Sequence, residues 1–179
     1  ERMLAKTGID MREDCWITNS LICHPQNNKI TNKKAIDYCR PNLIKTIEDL
    51  KPEIIIPLGA TAVKSLIGWL WKEDTKGINR WLGWKIPCQR LNCWICPTWH
   101  PAYLLRTSTG KGDDVVEMLF EKHLREAVAL KGRPWKEIPD YESRVRCFID
   151  VEQAADAIEA MIASKPRMIA FDYETDRLK

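Results

Sequence analysis

Acidic residues are missing from the middle of this 179-residue chain: between Asp74 and Asp113 there is none. Long apolar runs are missing as well. The longest uncharged apolar stretch falls far short of the roughly 18 residues a membrane-spanning helix needs. An even, closely spaced set of cysteines is also lacking. Seven Cys in a chain of this size disfavour a secreted disulfide framework and favour an intracellular protein with thiol or metal chemistry. No export signal opens the chain, since ERMLAKTGID reads as helical and charged. Internal repeats and low-complexity segments are absent. Hydrophobic residues at 45% and charged residues at 30% exclude a disordered chain, and a net charge of +3 says little by itself.

The pattern of elements is α/β. Residues 1–9 read as the end of a helix closed by Gly8, and Cys15–Asn19 alternate as a strand. Residues 24–31 hold Pro and two Asn and read as a loop. Thr31 or Asn32 can cap a helix that runs to Leu50, with Pro41 expected to break it in two. Ile54–Leu58 is the wholly apolar run of a buried strand, Gly59 makes a turn, and Ala60–Trp71 is helical. Residues 84–88 and 93–98 form a hairpin around Gln89–Asn92, and a loop follows from Trp99 to Gly112. Asp113 and Asp114 then start a helix that runs to Leu130. Alternating strands and helices of this kind predict a three-layer α/β/α sandwich with a mainly parallel central sheet.

A polar, Pro-rich stretch at 131–143 reads as a linker. Beyond it the pattern restarts: a strand at 144–150, a helix at 151–164 with Ala155, Ile158, Met161 and Ile162 on one face, and a strand at 168–173. These are the first β-α-β elements of a second domain, so the predicted division is 1–130, 131–143 and 144–179. The first residue is Glu1 rather than Met, and the last apolar strand has nothing after it to pair with. The chain is therefore expected to be a piece of a longer one.

The acid-free stretch carries Lys76, Arg80, Lys85, Arg90, Arg106 and Lys111, interleaved with Trp81, Trp84, Trp94, Trp99 and Tyr103. Basic groups neutralise phosphates and aromatic rings stack on bases, so this composition suits nucleic acid as well as it suits a solvated face over an aromatic core. Several residues carry possible chemistry. Asn19, at a strand end, offers a donor and an acceptor side by side, matching the O4 and N3–H edge of uracil; it can equally stabilise a turn. His100 follows an apolar strand and opens a loop, the place for a ligand-facing or a structural histidine. Cys23 and Cys39 are either buried thiols or two ligands of a larger set, because metal clusters usually need four. Cys88, Cys93, Cys96 and His100 have zinc-like spacing, although Cys93 and Cys96 lie three apart on a strand and so face opposite sides. Asp172 and Glu174, two apart on an apolar strand, share a face and can grip a divalent metal.

Taken in order, these motifs become recognisable. Trp16-Ile17-Thr18-Asn19-Ser20-Leu21-Ile22-Cys23-His24-Pro25, then Cys39, then Leu58-Gly59-Ala60-Thr61-Ala62, then Pro97-Thr98-Trp99-His100-Pro101-Ala102-Tyr103-Leu104-Leu105-Arg106 resembles the uracil-DNA glycosylases of the iron–sulfur (family four) type. The resemblance covers residues 1–130. It implies a parallel-sheet sandwich and base excision from uracil-containing DNA by a monomer that needs no membrane. Asn19 would recognise the flipped uracil, and His100 would donate to uracil O2 as negative charge develops on the leaving base. Pro101, Ala102, Tyr103, Leu104, Leu105 and Arg106 would contact DNA through the minor groove. Cys23 and Cys39 would be two of four ligands to a 4Fe–4S cluster. The family's water-positioning acidic loop, its uracil-stacking aromatic residue and its first cysteine pair are expected upstream of Glu1. His24-Pro25 stands where the family usually has Arg-Pro, and Asn28-Lys29-Ile30-Thr31 where it has Asn-Arg-Thr-Pro.

At the other end, Ile169-Ala170-Phe171-Asp172-Tyr173-Glu174-Thr175-Asp176 resembles the first motif of the 3′–5′ exonuclease domain of DNA polymerases of the bacterial polymerase I type. That resemblance implies Mg²⁺ or Mn²⁺ at Asp172 and Glu174, and a cytoplasmic replication protein of bacterial or phage origin. A non-catalytic DNA- or uracil-binding module of a replicative polymerase is the alternative role for the first domain.

Overall fold

The computed structural model describes residues 1–23, 34–72, 75–107 and 114–172. They form two compact units, Glu1–Ile138 and Pro139–Lys179. The first unit is built on a small sheet: β1 (Ile54–Ile55), β2 (Ile86–Cys88) and β3 (Cys93–Ile95), in the order β1-β3-β2. β1 and β3 run parallel, with Ile54 opposite Trp94, and an isolated parallel bridge joins Leu58 to Thr98 beyond their ends. β2 and β3 are the expected hairpin, antiparallel with Cys88 opposite Cys93. Asn92, in the turn, takes a left-handed φ of 45°, which its short polar side chain tolerates.

The helices of this unit are α1 (Arg2–Ala5), α2 (Ala35–Leu50), α3 (Gly59–Trp71), α4 (Pro101–Thr107) and α5 (Asp114–Val128). Ile47 of α2 and Val63, Leu66 and Ile67 of α3 pack with Cys88, Cys93 and Ile95 of the sheet into the main core. α5 buries Phe120, Leu124 and Ala127. It is tied to the N-terminal segment by Lys6–Glu121 and Arg2–Glu117 ion pairs of 2.7 and 3.4 Å.

Three local expectations are corrected. Pro41 does not break α2, which is continuous. Proline removes one backbone bond, but Asp37 pairs with Arg40 at 2.7 Å across that turn, and Arg40 Nε donates to the Ser65 carbonyl of α3 at 2.9 Å. Ile36 and Ile47, buried on either side of it, hold both halves in one line. Residues 15–19 are not a strand: they are irregular, with Trp16 and Ile17 exposed. An alternating sequence becomes a strand only where a ladder takes up its backbone groups, and none does so among the described residues. The stretch after His100 is not a loop but opens with α4. Pro101 fits a first helical position, and Ala-Tyr-Leu-Leu-Arg propagates a helix well. The caps at Thr31 and Asn32 lie outside the described residues, as do Lys111 and Asp113.

After α5 the chain folds back under the sheet. The Gly132 N–H donates to the Glu53 carboxylate at 3.0 Å, and Arg133 donates to the carbonyls of Asn92 and Lys51 at 3.0 and 2.5 Å. The Asn92 amide and the Trp135 backbone bond each other reciprocally at 3.0 and 3.3 Å. The division between the units, after Ile138, falls inside the 131–143 stretch.

The second unit holds α6 (Val151–Ala163), capped by Asp150, whose carboxylate accepts the Glu152 N–H at 2.8 Å. The strands expected at 144–150 and 168–173 are not formed over their described residues. Among the described residues of this unit no sheet pairs them, and an unpaired strand is not stable in water.

Candidate active site

The parallel pair fixes where the chemistry can lie, because β1 and β3 end on the same side. The Thr98 N–H donates to the Pro57 carbonyl at 3.1 Å, and the Gly59 N–H donates to the Thr98 carbonyl at 2.9 Å. The chain leaving β3 is thus clamped to the start of α3, one residue before Trp99 and two before His100. Gly59 has φ +85°, and a Cβ there would stand 2.9 Å from His100 Cβ. Only glycine lets His100 sit against this backbone. The sequence places Gly59 at a turn between an apolar strand and a helix and within the Leu58–Ala62 motif, but not against His100.

His100 is exposed at the head of α4. Its Nδ1 accepts the Ala102 N–H at 3.1 Å, and its carbonyl accepts the Tyr103 N–H at 2.8 Å. A backbone N–H can only donate, so Nδ1 is held as an acceptor. The neutral ring then carries its proton on Nε2. Held this way, the ring can donate from Nε2.

A second histidine stands behind this one. His123 of α5 shares a hydrogen bond of 3.0 Å between its Nδ1 and Thr98 Oγ1. Its ring stacks on Trp99 with centroids 5.5 Å apart, and Trp99 stacks on Tyr103 at 6.3 Å. Gly83 backs the ring: a Cβ there would meet His123 Nε2 at 2.6 Å. Burial lowers the His123 pKa below the ordinary histidine value; Lys122 and Lys85 push the same way and Glu126 opposes. No sequence motif singles this residue out.

The other expected residues are less gathered. Asn19 is exposed in the irregular segment before Cys23. Tyr103, Leu105 and Arg106 are exposed along α4, whereas Ala102 and Leu104 are partly buried. Cys23 is exposed and Cys39, on α2, half-buried; both are free thiols. Among the described residues no three His, Cys, Asp or Glu side chains come together as a metal site. The pair thus supplies the soft thiolate chemistry of an iron–sulfur site but only half of its usual ligand number. The zinc-like set is not assembled. Cys88, Cys93 and Cys96 are buried within the fold and His100 is exposed. Cys88 and Cys93 instead share a hydrogen bond that draws the Cys88 thiol down to about 7 and pushes Cys93 up, while burial raises Cys96 to about 11. Asp172 is exposed and outside any strand, and Glu174 lies outside the described residues.

The basic side chains divide rather than forming one patch. Arg90, at the hairpin tip, lies over the Trp69 ring at 4.1 Å, at the opposite end of the sheet from His100. Lys85 is paired with Glu126 at 2.7 Å. Arg106 closes α4, on the His100 side.

Comparison with known proteins fits this geometry. The sequence profile described as the Uracil DNA glycosylase superfamily matches residues 1–124. A type-4 uracil-DNA glycosylase of Thermotoga maritima is 33% identical over 123 residues, 67% of this chain and 59% of that protein. One from Pyrobaculum aerophilum is 32% identical over 111 residues, 62% of this chain and 56% of that protein. One from Saccharolobus solfataricus is 33% identical over 123 residues, covering 67% and 55%. The chain thus spans somewhat over half the length of these relatives. The profile takes in the clamp between β1 and β3, Gly59 and the His100 turn, and by that match the chain belongs to the uracil DNA glycosylase superfamily.

Proposed function

We propose that the intact protein hydrolyses the N-glycosidic bond of uracil in DNA. The observation that carries this reading is the His100 turn, where a backbone N–H fixes Nδ1 as an acceptor and leaves Nε2–H to donate. A base inside a duplex is out of reach, so uracil must first be extruded. Bond cleavage leaves an oxocarbenium-like sugar and an anionic base. A fixed neutral donor at uracil O2 stabilises that anion more than it stabilises the intact nucleotide, which is what lowers a barrier. Asn19 reads the O4 and N3–H edge. Tyr103 and Leu105 offer apolar surface to the gap left in the stack, and Arg106 offers charge to the backbone.

Cys23 and Cys39 would hold one side of a 4Fe–4S cluster, which the type-4 relatives suggest. When bound it supplies a cross-link between the Cys23 segment and α2; no reaction step passes through it. The C-terminal unit is read as the start of an exonuclease on its short motif alone. Asp172 is the described member of its acidic pair, and among the described residues no metal-binding group forms around it.

The test is release of free uracil by the intact protein from a uracil-containing oligonucleotide, with an otherwise identical thymine strand as control. Uracil release leaving alkali-labile abasic sites is expected. Tight, uracil-selective binding without any release would instead establish the non-catalytic binding module.

A further inference from the structure

We propose that His123 is a positioning residue for His100: from α5 it holds the strand end at Thr98 and, through Trp99 and Tyr103, braces both flanks of the His100 turn. The proposal rests on the reading of His100 as the donor to the leaving base.

Four contacts lead there. Thr98, a residue only 1% exposed, has both backbone groups committed to the β1–α3 clamp, so it is a fixed point. His123 Nδ1 shares its 3.0 Å hydrogen bond with the hydroxyl of that residue. The same imidazole stacks on Trp99, the residue immediately before His100, with an interplanar angle of 20°. Trp99 in turn stacks on Tyr103 at 11°, and the Tyr103 N–H donates to the His100 carbonyl at 2.8 Å. The residues on either side of the donor thus belong to one column of rings whose base is His123. Gly83, whose N–H donates to the Pro97 carbonyl at 3.1 Å, closes the back of the column and leaves no space for the imidazole to retreat.

A misplacement of about 1 Å in a reacting group can cost roughly 10²-fold in rate. Without His123, Trp99 loses one of its two stacking partners and Thr98 Oγ1 its hydrogen bond, and the His100 turn gains that freedom. His123 is separated from His100 by Thr98 and Trp99, so its effect is expected to pass through the His100 turn.

Two measurements on the intact protein test this. In single-turnover excision, His123→Ala is expected to slow uracil release roughly 10- to 10²-fold with DNA affinity unchanged. Thr98→Val, which removes the same hydrogen bond from the strand side without changing shape, is expected to slow it in the same direction. His123→Asn, which keeps an amide near the Nδ1 position, is expected to recover part of the rate. In a His100→Ala background, His123→Ala is expected to change the rate by no more than about twofold, as non-additivity requires of residues acting through one group. Equal losses in both backgrounds, or no loss in either, overturn the proposal. The second measurement needs no activity: imidazole ¹⁵N NMR should show His100 as a single Nε2–H tautomer in the wild type and a tautomer mixture in Thr98→Val and His123→Ala. An unchanged His100 spectrum overturns the positioning role whether or not uracil is released. A shifted spectrum in a protein that releases no uracil supports the positioning and overturns the glycosylase reading alone.

Discussion

The two ends of the β1–β3 pair are finished in opposite ways. At the end where these strands begin, polar groups are consumed by the chain itself: Arg133 takes two carbonyls, Asn92 and Trp135 bond each other, and the Glu53 carboxylate accepts from Gly132. At the end where they finish, a backbone clamp at Thr98 stops two residues short of His100, which stands exposed with its Nδ1 occupied and its Nε2 not engaged by that bond. A fold that closes one end with hydrogen bonds can hold the other end open and still keep its sheet. The closed end answers to stability and the open end to chemistry, and substitutions should separate them.

The largest expected effect is at the junction of the two demands. Gly59→Ala places a Cβ 2.9 Å from His100 Cβ at a φ of +85°. Strain of this kind costs about 1–3 kcal/mol, and here it also moves the donor, so denaturant midpoint and excision rate should fall together. A loss of stability with an unchanged rate would show that Gly59 does not seat His100. Next is Asn92→Ala at the closed end. Losing the reciprocal bonds with Trp135 and holding alanine at a left-handed φ of 45° should together cost about 2 kcal/mol in urea denaturation and leave single-turnover excision unaltered. A slowed reaction would mean the two ends are coupled and the contrast between them fails.

The smallest effect is a pH slope. Burial lowers the His123 pKa in the folded protein. The unfolded chain therefore binds this proton more readily, so the stability that neutral His123 contributes is fully present above its unfolded pKa of about 6.5. It is lost as pH falls below that value through the lower folded pKa. Thermal melts of the wild type should lose stability on acidification from pH 7 to 5 more steeply than those of His123→Asn. Parallel slopes would place the acid sensitivity elsewhere.

Much of this architecture was legible in the sequence, where local pattern and final packing agree. Ile54-Ile55 lies between Pro52 and Pro57, and α3, the Gln89–Asn92 hairpin and α6 each carry their own start, stop or turn signals. Apart from α4, whose helix signals are local, the failures share one cause, a partner that decides the outcome from far along the chain. Cys15–Asn19 and 144–150 have strand composition but no ladder among the described residues, while Pro41 is overridden by Arg40 reaching Ser65, 25 residues away. The site divides in the same way. His100 and its following residues stand out as a motif, whereas His123 meets Thr98 across 25 residues and one helix, a contact no local periodicity announces.

The most direct test of the account is His100→Ala in the intact protein, with single-turnover excision and DNA affinity measured on the same preparation. A donor that acts on charge appearing only as the bond breaks should cost about 10²–10³ in rate when removed, with affinity for uracil DNA nearly unchanged. A variant that binds more weakly but excises at the wild-type rate would show that His100 holds DNA rather than stabilising the leaving base, and would contradict the account.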